Sequence, residues 1–381
     1  MNCRNNASRK ERLSGKKRIV IKVGTSSITY ADGKLNLRFI DRLAQQISDL
    51  MNRGIQVILV TSGAIGVGLP VIGFKEKPSF LPYKQAAAAV GQGVLMNIYE
   101  RFFHEYGHHV GQVLLTKGDS LNPKRYMYAR GMIMALLELG ILPIINENDA
   151  VSADEIKIGD NDTLSATVAS IADADLLVIL SDVRGLYDKN PAKYADARLI
   201  SEVPDFSRSL FKMAEGPGTM RGTGGMYTKL LAAEICVHSG IDMIIAESSI
   251  PGVLYKIMDG EDTGTFFRGE DVHPQMKKRK MIIGADIEGR ISVDEGCRDA
   301  ILNKGSSILP VGVIGTDGEF QEGDIISVYC GKEELARGIT HFSRADVEKI
   351  RGVHTSEINA ALGYDAPYDT VIHRDNLFVL R

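Results

Sequence analysis

The residues best able to do chemistry stand just after short apolar runs. Lys22-Val23-Gly24-Thr25-Ser26-Ser27 closes the run RIVIKV (18–23). A Gly-Thr-Ser-Ser turn offers consecutive backbone N–H groups to an anion, and Lys22 stands beside it. A second small-residue turn, Thr61-Ser62-Gly63-Ala64-Ile65-Gly66-Val67-Gly68, closes QVILVT (56–61). Glycine there permits backbone to come close to a ligand, although glycines serving only tight turns would account for either loop singly. The run ILPIIN (141–146) leads into Asn146-Glu147-Asn148-Asp149, and Gly159-Asp160-Asn161-Asp162 follows at the start of a helical segment. Capping that helix needs one such side chain. Two clusters of carboxylates and amides exceed the need, and suit an ammonium group, a metal or a lysine. Last, Gly222-Thr223-Gly224-Gly225-Met226-Tyr227-Thr228-Lys229 joins a glycine-rich loop to a helix with a lysine near its start. This resembles a phosphate cradle but is not a P-loop, since GxxxxGK[ST] is absent from the chain.

Other patterns are decoys. His104-Glu105-Tyr106-Gly107-His108 satisfies H-E-x-x-H, but Gly107 ends the helix on which both imidazoles would need to share a face, so zinc is not expected on that pair. His373-Arg374-Asp375 imitates a protein-kinase catalytic loop, yet it lies near the C-terminus with no room for a DFG element. Gly63-x-x-Gly66-x-Gly68 is not the dinucleotide order GxGxxG.

The elements that must position these residues are legible from periodicity. Between Arg18 and about Phe267, β-branched runs alternate with segments of helical period, which predicts an α/β fold: a mostly parallel open sheet sandwiched by helices. The strands are 18–23, 56–61, 109–115, 141–146, 176–180 and 242–246; the helices begin near Leu37, Lys84, Arg125, Asp162 and Met226. Gly54, Gly107, Gly140 and Gly240 close four helical segments, as a left-handed C′ residue does. Beyond Lys277-Lys278-Arg279-Lys280, short strands and Gly/Asp turns predict a small β-rich barrel. The expected domains are a basic, mobile, solvated arm (1–17), a catalytic domain (18–276), a basic linker (277–284) and the β-rich domain (285–381).

Composition sets the outer bounds. The chain carries 44% hydrophobic and 24% charged residues and a formal charge of −3, which implies a folded protein without a global field for nucleic acid or anionic membranes. Four widely spaced cysteines, with no CxxC pair, argue against a disulfide framework or a zinc ribbon and suit a reducing cytoplasm. No apolar run reaches the length that spans a bilayer, so no membrane partner is expected.

Taken together, IVIKVGTSSI, VILVTSGAI, AAVGQ, GHHVGQVLLT, ILPIINENDAV, EIKIGDNDTLSA, LSDVRGLYDKNP and GTGGMYTKLLAAE resemble the glutamate 5-kinase family of the amino-acid kinase fold, and the second domain is similar to a PUA domain. The resemblance covers about residues 18–375. It implies ATP-dependent phosphorylation of the L-glutamate γ-carboxylate, the first step of proline synthesis, with ATP and Mg²⁺ as cofactors and proline as an inhibitor. Lys22 and Lys229 would hold the transferring phosphoryl group and Asp162 would orient both. Ser62, Asp149 and Asn161 match the glutamate-binding positions, with Gly63, Ala64 and Asn146 beside them, and Asp149 suits the substrate α-ammonium. Gly24, Thr25, Gly222, Thr223, Gly224, Gly225 and Met226 would hold ATP phosphates, and Ser181-Asp182 matches the adenine-nucleotide stretch. No protein metal site is implied, since the phosphates carry the magnesium. A homo-oligomer and a glutamyl-phosphate reductase are the implied partners. The alternatives are a kinase for another small acid, such as acetylglutamate, aspartate or carbamate, or an RNA-binding protein acting through the PUA-like domain. Balanced charge over 281–381 speaks against RNA.

Overall fold

The computed structural model describes residues 8–30, 33–74, 76–116, 118–119, 122–151, 161–214, 225–271 and 287–380. The chain divides into two compact units, residues 1–118 with 129–271 and residues 119–128 with 272–381. The division after Asp271 lies before the expected boundary at 276/277, and the expected linker, 277–284, lies outside the described residues.

In the first unit, the strands β1 (Arg18–Val23), β2 (Gln56–Val60), β3 (Val110–Leu115), β4 (Leu142–Glu147), β5 (Leu176–Ser181), β6 (Glu202–Val203), β7 (Asp242–Glu247) and β8 (Thr265–Phe267) make one eight-stranded sheet of order β3-β4-β2-β1-β5-β7-β8-β6. All its pairings are parallel except β7 with β8. Both faces of the central strands are buried: every residue of β5, and all of β1 after Arg18, is shielded from water. Such strands carry continuous β-branched and leucine runs because helices cover both faces. The covering helices are α1 (Arg9–Leu13), α2 (Thr25–Ile28), α3 (Leu37–Asn52), α4 (Ala64–Val71), α5 (Leu81–Glu105), α6 (Pro123–Glu138, whose first residues, up to Tyr128, belong to the second unit), α7 (Asn161–Ile171), α8 (Leu210–Ala214), α9 (Met226–His238) and α10 (Val253–Met258). Gly54, Gly107, Gly140 and Gly240 all take positive φ, as expected for the residues that stop α3, α5, α6 and α9. From β1 the chain passes to β2, then to the edge strand β3 and back to β4 between them, before crossing to β5 and β7 on the other side of β1. The carboxyl ends of β1 and its neighbours are therefore where such a sheet opens a crevice.

Two features were not foreseen. The turn after β2 continues into α4, entered through Gly63 at φ +94°. Glycines serve the packing of α4 against α5: a Cβ on Gly68 of α4 would stand 1.9 Å from the Ala87 carbonyl oxygen, and one on Gly91 of α5 1.8 Å from that of Ala64. The second is a correction to the expected solvated arm over its described part, residues 8–17. Ser8 closes a capping box with Glu11 at the start of α1, and Leu13 is fully buried in the core cluster around β1 and β7. Asp242, buried at the start of β7, accepts ion pairs from Arg12 (2.8 Å) and Lys16 (2.8 Å), while Arg9 pairs with Asp262 (3.0 Å). A buried carboxylate requires cations, and this basic segment supplies them.

The second unit contains a five-stranded sheet of β9 (Gly289–Val293), β10 (Val313–Gly318), β11 (Ile325–Cys330), β12 (Glu333–Ile339) and β13 (Leu377–Val379), in the order β10-β9-β11-β12-β13. Its pairings are antiparallel except β9 with β11. Its own core gathers Ile291, Val293, Phe320, Ile326, Val328, Phe342 and Ile372 among others.

Candidate active site

Three charged side chains from three elements meet beyond the carboxyl end of β1. Lys22 comes from β1, Asp162 from the first turn of α7 and Lys229 from the first turn of α9. The Lys22 Nζ lies 2.7 Å from Asp162 Oδ1, and the Lys229 Nζ lies 3.2 Å from Asp162 Oδ2. Thr228 donates a further hydrogen bond to Asp162 Oδ2 at 2.8 Å. All three charged residues are buried, at 7%, 1% and 3% exposure respectively. Burial alone would raise the Asp162 carboxyl, but the two ammoniums and the hydrogen bonds from Lys22 and Thr228 outweigh it and hold it below the usual carboxylate range. The Lys22 ammonium is pushed down, first by desolvation and then by repulsion from Lys229, against the pull of Asp162. Two lysines and one aspartate give the buried trio a formal charge of +1. A desolvated charge of that kind is stabilised by an anionic ligand.

The small-residue turns flank this trio. Gly24 opens α2, and the space where its Cβ would stand is 3.5 Å from the Lys22 Nζ, so the ammonium is approached over bare backbone. Ser27 donates to Ser248 (2.9 Å), and the Ser248 N–H donates to the Ser181 carbonyl (2.7 Å), fixing the turn to the ends of β5 and β7. At the end of β5, Ser181 donates to Asp182 (3.0 Å). Gly225 caps α9 and Met226 begins it; Gly222, Thr223 and Gly224 lie outside the described residues.

A second, amide-rich network adjoins Asp162. The Asn161 Nδ2 group donates to the Thr61 carbonyl (3.0 Å), Ser62 Oγ (2.8 Å) and Asn146 Oδ1 (3.1 Å). Asn146 in turn donates to Gln92 Oε1 at 2.9 Å. Two buried atoms of this network, Asn161 Oδ1 and Gln92 Nε2, have no hydrogen-bond partner. One is an acceptor and the other a donor, which suits a ligand carrying both kinds of group. Behind it, the Thr61 and Tyr99 hydroxyls lie 2.8 Å apart, and full burial pushes the Tyr99 hydroxyl up to about 12. Asp149 lies just past the end of β4. Its carboxyl is raised by burial, an effect that Lys77 partly opposes. Gln92, Thr228 and Tyr99 were not singled out from sequence. For Gln92 the available signal was a lone amide within the Ala/Gly-rich stretch 86–93 of α5.

One aspartate pairs with both lysines, Lys22 on Oδ1 and Lys229 on Oδ2. The described residues around the trio thus offer no free buried carboxylate pair for a resident divalent ion, whereas a polyphosphate fits the formal positive charge.

Comparison with known proteins establishes the family. The amino acid kinase family matches residues 17–247. The chain is 51% identical over 364 residues to the glutamate 5-kinase of Thermoanaerobacter sp. (strain X514), covering 95% of this chain and 98% of that one. The chain belongs to the amino acid kinase family, in its glutamate 5-kinase branch. The glutamate 5-kinases of Moorella thermoacetica (46% over 370 residues, 97% of each chain) and of Methanococcoides burtonii (43% over 373 residues, 97% and 98%) lie in the same family branch. Residues 289–362 match the PUA domain. Among solved structures, carbamate kinase from Giardia lamblia bound to AMP-PNP shares the fold, with a TM-score of 0.50 at 18% identity over 67% of this chain and 99% of that one.

Proposed function

We propose that this protein transfers the γ-phosphoryl group of ATP to the γ-carboxylate of L-glutamate, forming L-glutamyl 5-phosphate and ADP, the opening step of proline synthesis. The observation that carries this reading is the buried Lys22–Asp162–Lys229 trio, with a formal charge of +1, beyond the carboxyl end of β1. An oxygen of the γ-carboxylate forms the new bond to phosphorus as the bond to the β-phosphate oxygen breaks. That carboxylate is ionised near neutral pH, so no base is needed. Lys22 and Lys229 hold the transferring group, whose charge spreads over its equatorial oxygens in the transition state. Asp162 fixes the two ammoniums rather than taking a proton. Magnesium, when bound on the phosphates, neutralises their charge.

The backbone of Gly24 and Thr25, the 222–224 segment, Gly225 and Met226 hold the phosphates, and Ser181 and Asp182 border the nucleoside. Ser62, Gly63, Ala64, Asn146 and Asn161 line the glutamate side. The unpartnered Asn161 Oδ1 and the raised carboxyl of Asp149 suit the substrate ammonium, and the unpartnered Gln92 Nε2 suits a carboxylate. Proline, sharing the ammonium and the carboxylate of glutamate, would compete for these same groups. A cytoplasmic homo-oligomer that passes its labile acyl phosphate to a reductase completes the proposal; no described helix is long and apolar enough to cross a membrane.

The test is Mg-ATP-dependent hydroxamate formation with hydroxylamine as trap, run in parallel with glutamate, aspartate and N-acetylglutamate. Product from glutamate alone supports the reading. Product from another acid, or none from a folded, ATP-binding protein, overturns it.

A further inference from the structure

At the far end of the sheet from the lysine trio, a histidine excluded above reappears in different company. Helix α5 ends at Glu105, and Gly107 then turns the chain back at φ +81°. The His108 N–H returns to the Phe103 carbonyl at 3.0 Å, so the next residue, His109, lies back over the last turns of the helix just before β3 begins. There it meets Glu100 and His104, which stand four positions apart on one face of α5. The carboxylate and the two imidazoles each offer a ligand atom, and these atoms all lie within 4.8 Å of one another. His108, the second histidine of the H-E-x-x-H pattern, is not part of the group.

Geometry favours a metal over a fortuitous cluster. The Glu100 carboxylate is oriented by the chain: its Oε2 accepts from the Val110 N–H at 3.2 Å, leaving Oε1 at 3.4 Å from His109 Nδ1. Bonds of about 2.0–2.1 Å in a tetrahedron place ligand atoms about 3.3 Å apart, so this edge of the polyhedron is already set. A backbone-anchored oxygen is the kind of outer support that fixes a ligand. The His104 and His109 rings, 5.8 Å apart between centroids, need only side-chain rotation to close the rest. The His109 side chain is 70% exposed, so such rotation is free and an ion has access.

We propose that Glu100, His104 and His109 bind a divalent transition-metal ion of borderline softness, zinc in the first place. Two imidazoles and one carboxylate select such ions over magnesium or calcium, which prefer all-oxygen sites. The fourth position is left to water. Because β3 runs parallel to β4, β2 and β1, the site lies at the opposite end of the strands from Lys22. The ion therefore ties the C-terminal end of α5 to the edge strand without touching the phosphoryl-transfer chemistry.

The experiment titrates zinc chloride into the chelator-stripped full chain by calorimetry, with thermal unfolding and cobalt spectra recorded alongside. One equivalent should bind, raise the melting temperature and give a tetrahedral cobalt spectrum without a thiolate charge-transfer band. His104→Ala and His109→Ala should each weaken binding at least about tenfold, while His108→Ala should not. All three variants should keep the kinase activity and the circular dichroism of the parent. Absence of zinc binding overturns the proposal. So does binding unaffected by either ligand variant, a thiolate band, or displacement by an equal concentration of magnesium.

Discussion

Lys229→Met separates what the buried trio does for catalysis from what it does for the fold. Methionine approximates the unbranched stem of lysine but carries neither the ammonium charge nor its N–H donors. The ion pair with Asp162 at 3.2 Å is worth about 5 kcal/mol in gross attraction at an effective dielectric of about 20. Against that loss stand the desolvation of a buried ammonium, several kcal/mol per ion, and its repulsion of Lys22. Removing one member of a buried pair is costly when it strands the other, but here Lys22 still neutralises Asp162 and Thr228 still donates to it. The folded state should be unchanged or gain about 1–2 kcal/mol, read from urea unfolding at a constant slope. Turnover in the hydroxamate assay should fall about 10²–10³-fold, since one transition-state cation and the formal positive charge of the trio are both gone. Near-normal turnover would refute the role of Lys229. A stability loss above about 3 kcal/mol would refute the claim that Lys22 still neutralises Asp162.

Other substitutions test the surrounding structure. Asp149→Asn should raise the KM for glutamate far more than that for ATP; equal effects would count against an ammonium contact. Since burial holds the folded Asp149 carboxyl above its ordinary value, its ionised form costs stability at neutral pH, and that cost fades as pH falls through the folded value. In the parent enzyme, kcat/KM for glutamate should therefore decline on acidification earlier than an ordinary aspartate dictates, and Asp149→Asn should flatten that limb. Gly68→Ala drives a Cβ to within 1.9 Å of the Ala87 carbonyl oxygen and should cost about 3 kcal/mol; a silent variant would show that α4 and α5 can part freely. Leu13→Ala should cost about 2–5 kcal/mol in chemical denaturation, and a cost near zero would restore the solvated arm.

The parts legible in the linear chain were those set by local pattern. Continuous β-branched runs marked the six long strands within a residue at either end, and glycines closed the helices, because backbone conformation and two-sided burial act over a few neighbouring residues. The lysines, carboxylates and amides after the strands were legible too, since in this class of sheet a ligand can only sit beyond the strand ends. Partnership was not. Strands β6 and β8, of two and three residues, are too short to carry a period, and α4 hides in glycines that read as a loop. Asp242 inside DMIIA gave no hint that it would hold the basic segment before β1, nor Glu100 that it would meet His109 across a turn. Charge pairing and the stranding of buried polar atoms are set by distances between residues far apart in sequence. Only the packed tertiary structure decides which aspartate lies between two lysines, and so gives the buried trio its formal charge of +1.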